Sequence, residues 1–208
     1  MGSRIPPLYA IIDAARAGTK SPIFIAEALL SAGVRLIQYR DKTGTSRRLY
    51  EVSLEIAGYA SRAKAIFIVN DRADIARASG ARGVHLGQED LPMELARRVL
   101  DPGQWIGIST HTLPQIELAE SSSADYVAFG PIFATRSKDR PDPVVGLDGL
   151  RQARRLTRKP LVAIGGITLE NAPAVIEAGA DSVAVIHDLL AAEDIGARAR
   201  EFLRLMSE

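Results

Sequence analysis

The sequence predicts an α/β protein folded as a single (β/α)8 barrel, the TIM-barrel architecture, and three observations predict it. Eight short runs are rich in Val and Ile, and most are apolar on both faces, as buried parallel strands are. Helical patterns lie between them. The joins repeat: Ser31-Ala32-Gly33-Val34, Ala78-Ser79-Gly80-Ala81-Arg82-Gly83-Val84 and Glu177-Ala178-Gly179-Ala180-Asp181-Ser182-Val183 each read as a helix end, a glycine suited to a left-handed cap, then a strand. About eight such units in 208 residues make a compact barrel. A doubly wound open sheet is the alternative.

The expected strands are residues 8–12, 34–38, 66–69, 83–86, 105–109, 125–129, 161–164 and 182–186. The helix over 22–32 places Ile25, Ala28, Leu29 and Ala32 on one face. Ser21-Pro22 starts it, with an N-cap and a proline at the first helical position. A longer amphipathic helix over 46–62 carries Leu49, Val52, Ile56 and Tyr59 on its apolar stripe. Short helices are expected after the third and fourth strands. Helices over 113–120, 147–156 and 169–178 follow, the last capped by Thr168. The final helix, 195–205, exposes Arg198, Arg200 and Glu201. The chain reads as one domain, with residues 1–7 as an N-terminal extension that is in part an expression scar.

Composition narrows the function. Apolar residues make up 47% of the chain, enough for a substantial core, and the net charge of +1 offers no global field for nucleic acid. There is no cysteine, so thiolate nucleophiles and disulfides are excluded. No apolar run approaches the ~20 residues needed to span a bilayer, and the N-terminus lacks a signal-peptide core. A cytoplasmic location, no membrane association and no nucleic-acid partner are expected, with a homo-oligomer left open.

In a barrel, chemistry sits just beyond the carboxyl ends of the strands. Polar clusters fall there. After the second strand, Gln38-Tyr39-Arg40-Asp41-Lys42 alternates so that Gln38, Arg40 and Lys42 share a side, an amide and two cations suited to a phosphate or pyrophosphate and a polar ring edge. Asn70-Asp71 and Gln88-Glu89-Asp90 follow the third and fourth. Asp71 with Asp90, or with Glu89 in its place, can share one Mg2+ completed by waters and phosphate oxygens. The competing reading is that Asp71 and Asp90 cap the helices that follow. Ser109-Thr110-His111 offers hydroxyls and an acid or base, or merely a turn. The long stretch from Gly130 to Pro141 carries Thr135, Ser137 and Lys138, able to close over an anion as rim lids do. Gly165-Gly166 and Ile186-His187-Asp188 follow the seventh and eighth strands, where backbone amides commonly hold phosphate. Two anion sites emerge, one with a metal.

These motifs, with Phe129-Gly130-Pro131-Ile132-Phe133, Ala163-Ile164-Gly165-Gly166-Ile167 and Val183-Ala184-Val185-Ile186, resemble those of the thiamine phosphate synthases from Tyr9 to about Leu205. The resemblance implies a transferase of thiamine biosynthesis that joins 4-amino-2-methyl-5-(diphosphomethyl)pyrimidine to thiazole phosphate, releasing pyrophosphate. It implies that Gln38, Arg40, Lys42, Asn70, Ser109 and Lys138 hold the pyrimidine pyrophosphate, with Arg40, Lys42, Ser109 and Lys138 catalytic. Asp71 and Asp90 would bind Mg2+. Thr135, Ser137, Gly166, Ile186 and His187 would surround the thiazole phosphate. The chain departs from the family pattern mildly at Ser137 and more at His187, where serine is usual. Arg40→Ala or Lys138→Ala is expected to lower turnover far more than fold stability.

Three rivals share the barrel. A thiazole tautomerase would not need the metal and pyrophosphate motifs. A phosphosugar isomerase or epimerase would use Asp13 or His111 as acid and base. A non-catalytic ligand-binding protein would not need the full polar rim.

Overall fold

The structure, a computed structural model, describes residues 5–135 and 142–206. Eight parallel strands close into a barrel in chain order: β1 (Leu8–Asp13), β2 (Leu36–Arg40), β3 (Ile66–Asn70), β4 (Gly83–Leu86), β5 (Trp105–Thr110), β6 (Tyr126–Phe129), β7 (Leu161–Ile164) and β8 (Ser182–Val185). The ring closes where β1 pairs with β8, Leu8 opposite Val183. The intervening helices are α1 (Pro22–Ser31), α2 (Ser46–Arg62), α3 (Ala73–Ala78), α4 (Met93–Val99), α5 (Leu113–Glu120), α6 (Gly146–Leu156) and α7 (Ala172–Glu177). A one-turn α8 (His187–Leu190) and α9 (Ile195–Leu205) end the chain. The open-sheet alternative is thereby set aside.

Two apolar layers hold the barrel. Outward-facing strand residues such as Ile12, Ile37, Val69 and Val127 pack against Ile25, Leu29, Ile56, Ile116 and Phe202 of the helices. Inward residues fill the interior: Tyr9, Ile11, Leu36, Ile68, Tyr126, Ala128, Val162 and Ala184, joined from below by Ile5. Alternation along each strand separates the two sets.

The repeated helix–glycine–strand joins share one geometry. Gly33, Gly80 and Gly179 have φ of +103°, +71° and +108°. Beyond each, an amide reaches back to the helix: Val34 N–H to Leu29, Ala81 N–H to Ala76 and Ala180 N–H to Val175. This is the Schellman closure. A fourth join does the same with Lys64 in the left-handed position, φ +54°, and Ala65 N–H bonded to the Ala60 carbonyl.

The closure also moves β2. Because Val34 is tied to α1, pairing with β1 starts at Leu36, two residues later than the pattern suggested, and runs to Arg40. Arg40 therefore stands on the strand end rather than in the loop. The seventh helix likewise starts at Ala172, ahead of Pro173, not at Leu169. Thr168 and Asn171 bond each other reciprocally, Asn171 Oδ1 accepting from Thr168 N–H at 2.9 Å, and pin the turn before the helix.

Candidate active site

At the carboxyl ends of the strands lies a cleft of about 590 Å3. It brings together Gln38, Arg40, Lys42, Asn70, Asp71, Asp90, Ser109, Thr135, Gly166, Ile186 and His187. Ser137 and Lys138 lie outside the described residues. Glu89, His111 and Asp142 also border the opening, and Tyr9, Ile11, Val162 and Ala184 form its floor.

The β2 end shows how alternation builds one wall. Arg40 Nη1 reaches the buried carboxylate of Asp13 at 2.6 Å, a pairing set by strand register, since Asp13 stands opposite Arg40. Lys42 Nζ lies 2.6 Å from Asp71 Oδ2. The residues between do structural work. Asp41 accepts the Tyr39 hydroxyl at 3.1 Å and the amides of Thr43 and Gly44 at 3.1 and 2.8 Å, pinning the loop. Burial opposes ionisation of Asp41, but these donors outweigh it and hold its carboxyl below the usual range.

Asp71 and Asp90 do not cap helices. The residue at the start of α3 is Arg72 and that of α4 is Pro92, and neither helix start carries a side-chain cap. Asp71 adopts φ +62°, a left-handed conformation uncommon outside glycine, with its amide bonded to the His85 carbonyl at 2.8 Å. Asp90 Oδ2 accepts Gly87 N–H at 2.6 Å. Burial first, then the facing Asp90 carboxyl, raises the Asp71 pKa above its ordinary value, and Lys42 offsets part of this. Among the described residues, no group of three or more His, Cys, Asp or Glu side chains gathers in metal-ligating geometry. Two facing carboxylates beside a wall of cationic side chains are nevertheless the small protein donor set that Mg2+ takes.

The opposite wall is backbone. Gly165 and Gly166 have φ of +102° and +64°. A Cβ at Gly165 would lie 2.5 Å from Pro131, and one at Gly166 would lie 2.6 Å from the Ala134 carbonyl. The close approach is held by Phe133 N–H on the Gly165 carbonyl and Asn171 Nδ2 on that of Gly166. Asp188 accepts Leu169 N–H at 2.9 Å, tying the loop after β7 to α8. His187 opens α8, so the first amides of that turn lack intrahelical partners. Thr112 and Gln115 form a capping box at α5. It fixes His111, whose Nδ1 lies 2.6 Å from the Gly130 carbonyl and whose Nε2 lies 3.5 Å from Asp142.

The residues that sequence reasoning passed over lie in the floor. Tyr9, Tyr126 and His85 link Gln38 to Ser109 by hydrogen bonds across the barrel. Their signal was present as polar side chains at inward positions of strands otherwise apolar. Asp13, read only as an acid or base of a rival, is instead the partner of Arg40.

Comparison with known proteins places this geometry. The sequence profile of the thiamine monophosphate synthase family matches residues 8–189. A thiamine-phosphate synthase of Koribacter versatilis is 50% identical over 209 residues, covering 99% of this chain and 98% of that protein. One from Chloroflexus aurantiacus is 42% identical, covering 96% and 92%. The solved thiamine phosphate pyrophosphorylase of Pyrococcus furiosus superposes with a TM-score of 0.89 at 35% identity, covering 97% and 95%. With a closed barrel, and with sequence and fold matched along nearly the whole length, the chain belongs to the thiamine monophosphate synthase family.

Proposed function

We propose that the chain joins 4-amino-2-methyl-5-(diphosphomethyl)pyrimidine to thiazole phosphate, giving thiamine phosphate and pyrophosphate, with the two anions at opposite walls of the cleft. The observation that carries this reading is the division of charge. Side-chain cations and paired carboxylates stand over β2 to β4, while glycine backbone follows β7 and the first turn of α8 follows β8.

Arg40, Lys42, Asn70 and Lys138 hold the pyrophosphate. Asp71 and Asp90 would hold Mg2+, which when bound neutralises charge on the departing pyrophosphate. Gln38 and Ser109 hold the pyrimidine. The thiazole phosphate rests on the amides around Gly166, Ile186 and His187, with Thr135 and Ser137 alongside. A backbone-amide contact at His187 survives the change from the usual serine, whereas a hydroxyl contact does not.

The bond from the pyrimidine methylene to the pyrophosphate oxygen breaks first, and the electron pair leaves with the oxygen. The amino group of the ring delocalises the resulting cation. The thiazole nitrogen then donates its lone pair to the methylene carbon. That nitrogen carries no proton, so no general base is needed, and no catalytic triad is expected. Arg40 and Lys42 stabilise charge as it develops, an effect worth about 10²–10³-fold per donor. Holding both rings face to face supplies the proximity contribution.

The test is turnover of purified protein with both substrates and Mg2+, with thiamine phosphate resolved by chromatography and EDTA as control. Product that EDTA abolishes supports the reading. Folded protein that binds thiazole phosphate without turning over would favour the tautomerase or binding-protein reading.

A further inference from the structure

Beneath the cleft, five side chains form an unbroken series. Gln38 Nε2 donates to Tyr9 Oη at 2.6 Å. Tyr9 Oη lies 2.9 Å from Tyr126 Oη, and Tyr126 Oη lies 3.0 Å from His85 Nδ1. His85 Nε2 lies 2.9 Å from Ser109 Oγ. Gln38, Tyr9 and His85 are nearly buried, and Tyr126 is wholly so, without contributing to the cleft surface.

The space for this series is built. Gly107 faces Tyr126 across β5 and β6, and a Cβ there would lie 2.1 Å from the Tyr126 ring. His85 stacks on Tyr126 with centroids 5.5 Å apart, and Tyr9 meets it edge-on at 6.0 Å.

Each tyrosine has one proton to give. Tyr9 accepts from Gln38, so its proton goes to Tyr126. The Tyr126 proton then goes to His85 Nδ1, and His85 carries its proton on Nε2 and donates to Ser109. The reverse order would require the Gln38 amide to turn and present its oxygen to Tyr9 in place of the nitrogen that stands there. Ser109 Oγ, already accepting, turns its own hydrogen toward the cleft. Gln38, anchored through nitrogen, keeps its carbonyl oxygen as an acceptor.

We propose that Tyr126 is a positioning residue that fixes the His85 tautomer and thereby the hydrogen-bonding sense of the cleft: acceptor at Gln38, donor at Ser109. This deepens the function proposed above and rests on it. The arrangement fits a ring that pairs an exocyclic amine with a ring nitrogen, and rejects one that carries an oxo group in place of the amine.

The experiment is ring 15N NMR of histidine-labelled full-length protein, with His85 assigned by substitution, followed by kinetics of Tyr126→Phe. His85 is expected as the single Nε2–H tautomer in the free protein. An Nδ1–H or doubly protonated ring would overturn the proposal, and this arm needs no turnover. Tyr126→Phe is expected to mix the tautomers. It should raise KM for the pyrimidine pyrophosphate about tenfold, the loss of one well-oriented hydrogen bond, while KM for thiazole phosphate stays unchanged. An unmixed tautomer, or a rise shared by both substrates, would overturn it. If that variant does not fold, the His85 tautomer of the parent protein decides the proposal alone. Parent protein that forms no thiamine phosphate would defeat the function alone, leaving the tautomer to decide the proposal.

Discussion

Asp13 decides what substitution at Arg40 reports. Its carboxylate is 2% exposed and its partner guanidinium 23%. Arg40→Ala removes the guanidinium proposed to hold pyrophosphate and also leaves a buried charge unpaired, at a cost on the order of 2–3 kcal/mol, the low side for breaking a buried pair because Arg40 is partly open to water. Turnover and melting temperature should therefore fall together, contrary to the separation expected from sequence. Lys42, half-exposed, separates them. Lys42→Ala should lower kcat/KM about 10²-fold with little change in melting. A Lys42→Ala protein as active as the parent would remove Lys42 from the chemistry. Asp71 makes a different trade. Burial and Asp90 raise its pKa in the folded chain above the ordinary 3.8. A raised carboxyl adds stability that is complete below the unfolded pKa and lost as pH rises through the folded one. At neutral pH the metal-free site thus costs stability. Asp71→Asn, which suits φ +62°, should melt higher than the parent in EDTA at pH 7 and at the same temperature near pH 3, while losing turnover. A lower melting point at pH 7 would refute this account. The carboxylates were legible in sequence because they follow strands. The Asp13–Arg40 pair was not, because it depends on the register between two strands, and β2 starts two residues later than its apolar pattern.

At the scale of elements, the sequence announced the glycine joins and concealed the fourth. Gly33, Gly80 and Gly179 share a spelling that predicts their left-handed caps. Lys64 occupies the same conformation without the same letter, so the repeat seemed to stop there. A left-handed lysine pays a steric cost that glycine avoids, against a smaller gain from restricting the unfolded chain. Lys64 is exposed, so nothing is lost with its side chain. Lys64→Gly should stabilise by roughly 0.5–1 kcal/mol, a melting increase of about 2 °C for a chain of this size. Thermal unfolding followed by circular dichroism measures it, and a decrease would mean that the join tolerates lysine without strain. Helix ends governed by tertiary contacts were less legible. Thr168 reads as a cap, yet its hydroxyl serves Asn171 in a turn before Pro173 delays the helix. The one-turn α8 leaves almost no periodicity to read.

Across the whole molecule, barrel closure turns scattered motifs into one cleft. Residues from Tyr9 to His187 reach it because every parallel strand ends on the same rim. That much follows from the strand count, and the motifs could be placed on the rim without coordinates. The polar floor could not, since it joins β1, β2, β4, β5 and β6 through contacts that only closure creates. Closure also separates the two walls proposed to hold anions. The β2–β4 wall pairs its cations with carboxylates: Arg40 with Asp13 and Lys42 with Asp71. An arriving pyrophosphate must compete with those carboxylates, and a divalent cation on Asp71 and Asp90 would release Lys42 to it. The β7–β8 wall offers backbone amides and makes no such demand. Ligands that bind the folded chain raise its melting temperature in proportion to ln(1 + [L]/Kd). Inorganic pyrophosphate should therefore raise melting only when Mg2+ is present, whereas thiazole phosphate should raise it equally in Mg2+ and in EDTA. If EDTA abolished both shifts, the metal would be holding the cleft together as a whole. If it abolished neither, Asp71 and Asp90 would serve to orient Lys42, and metal binding there would fail as an account of the pair.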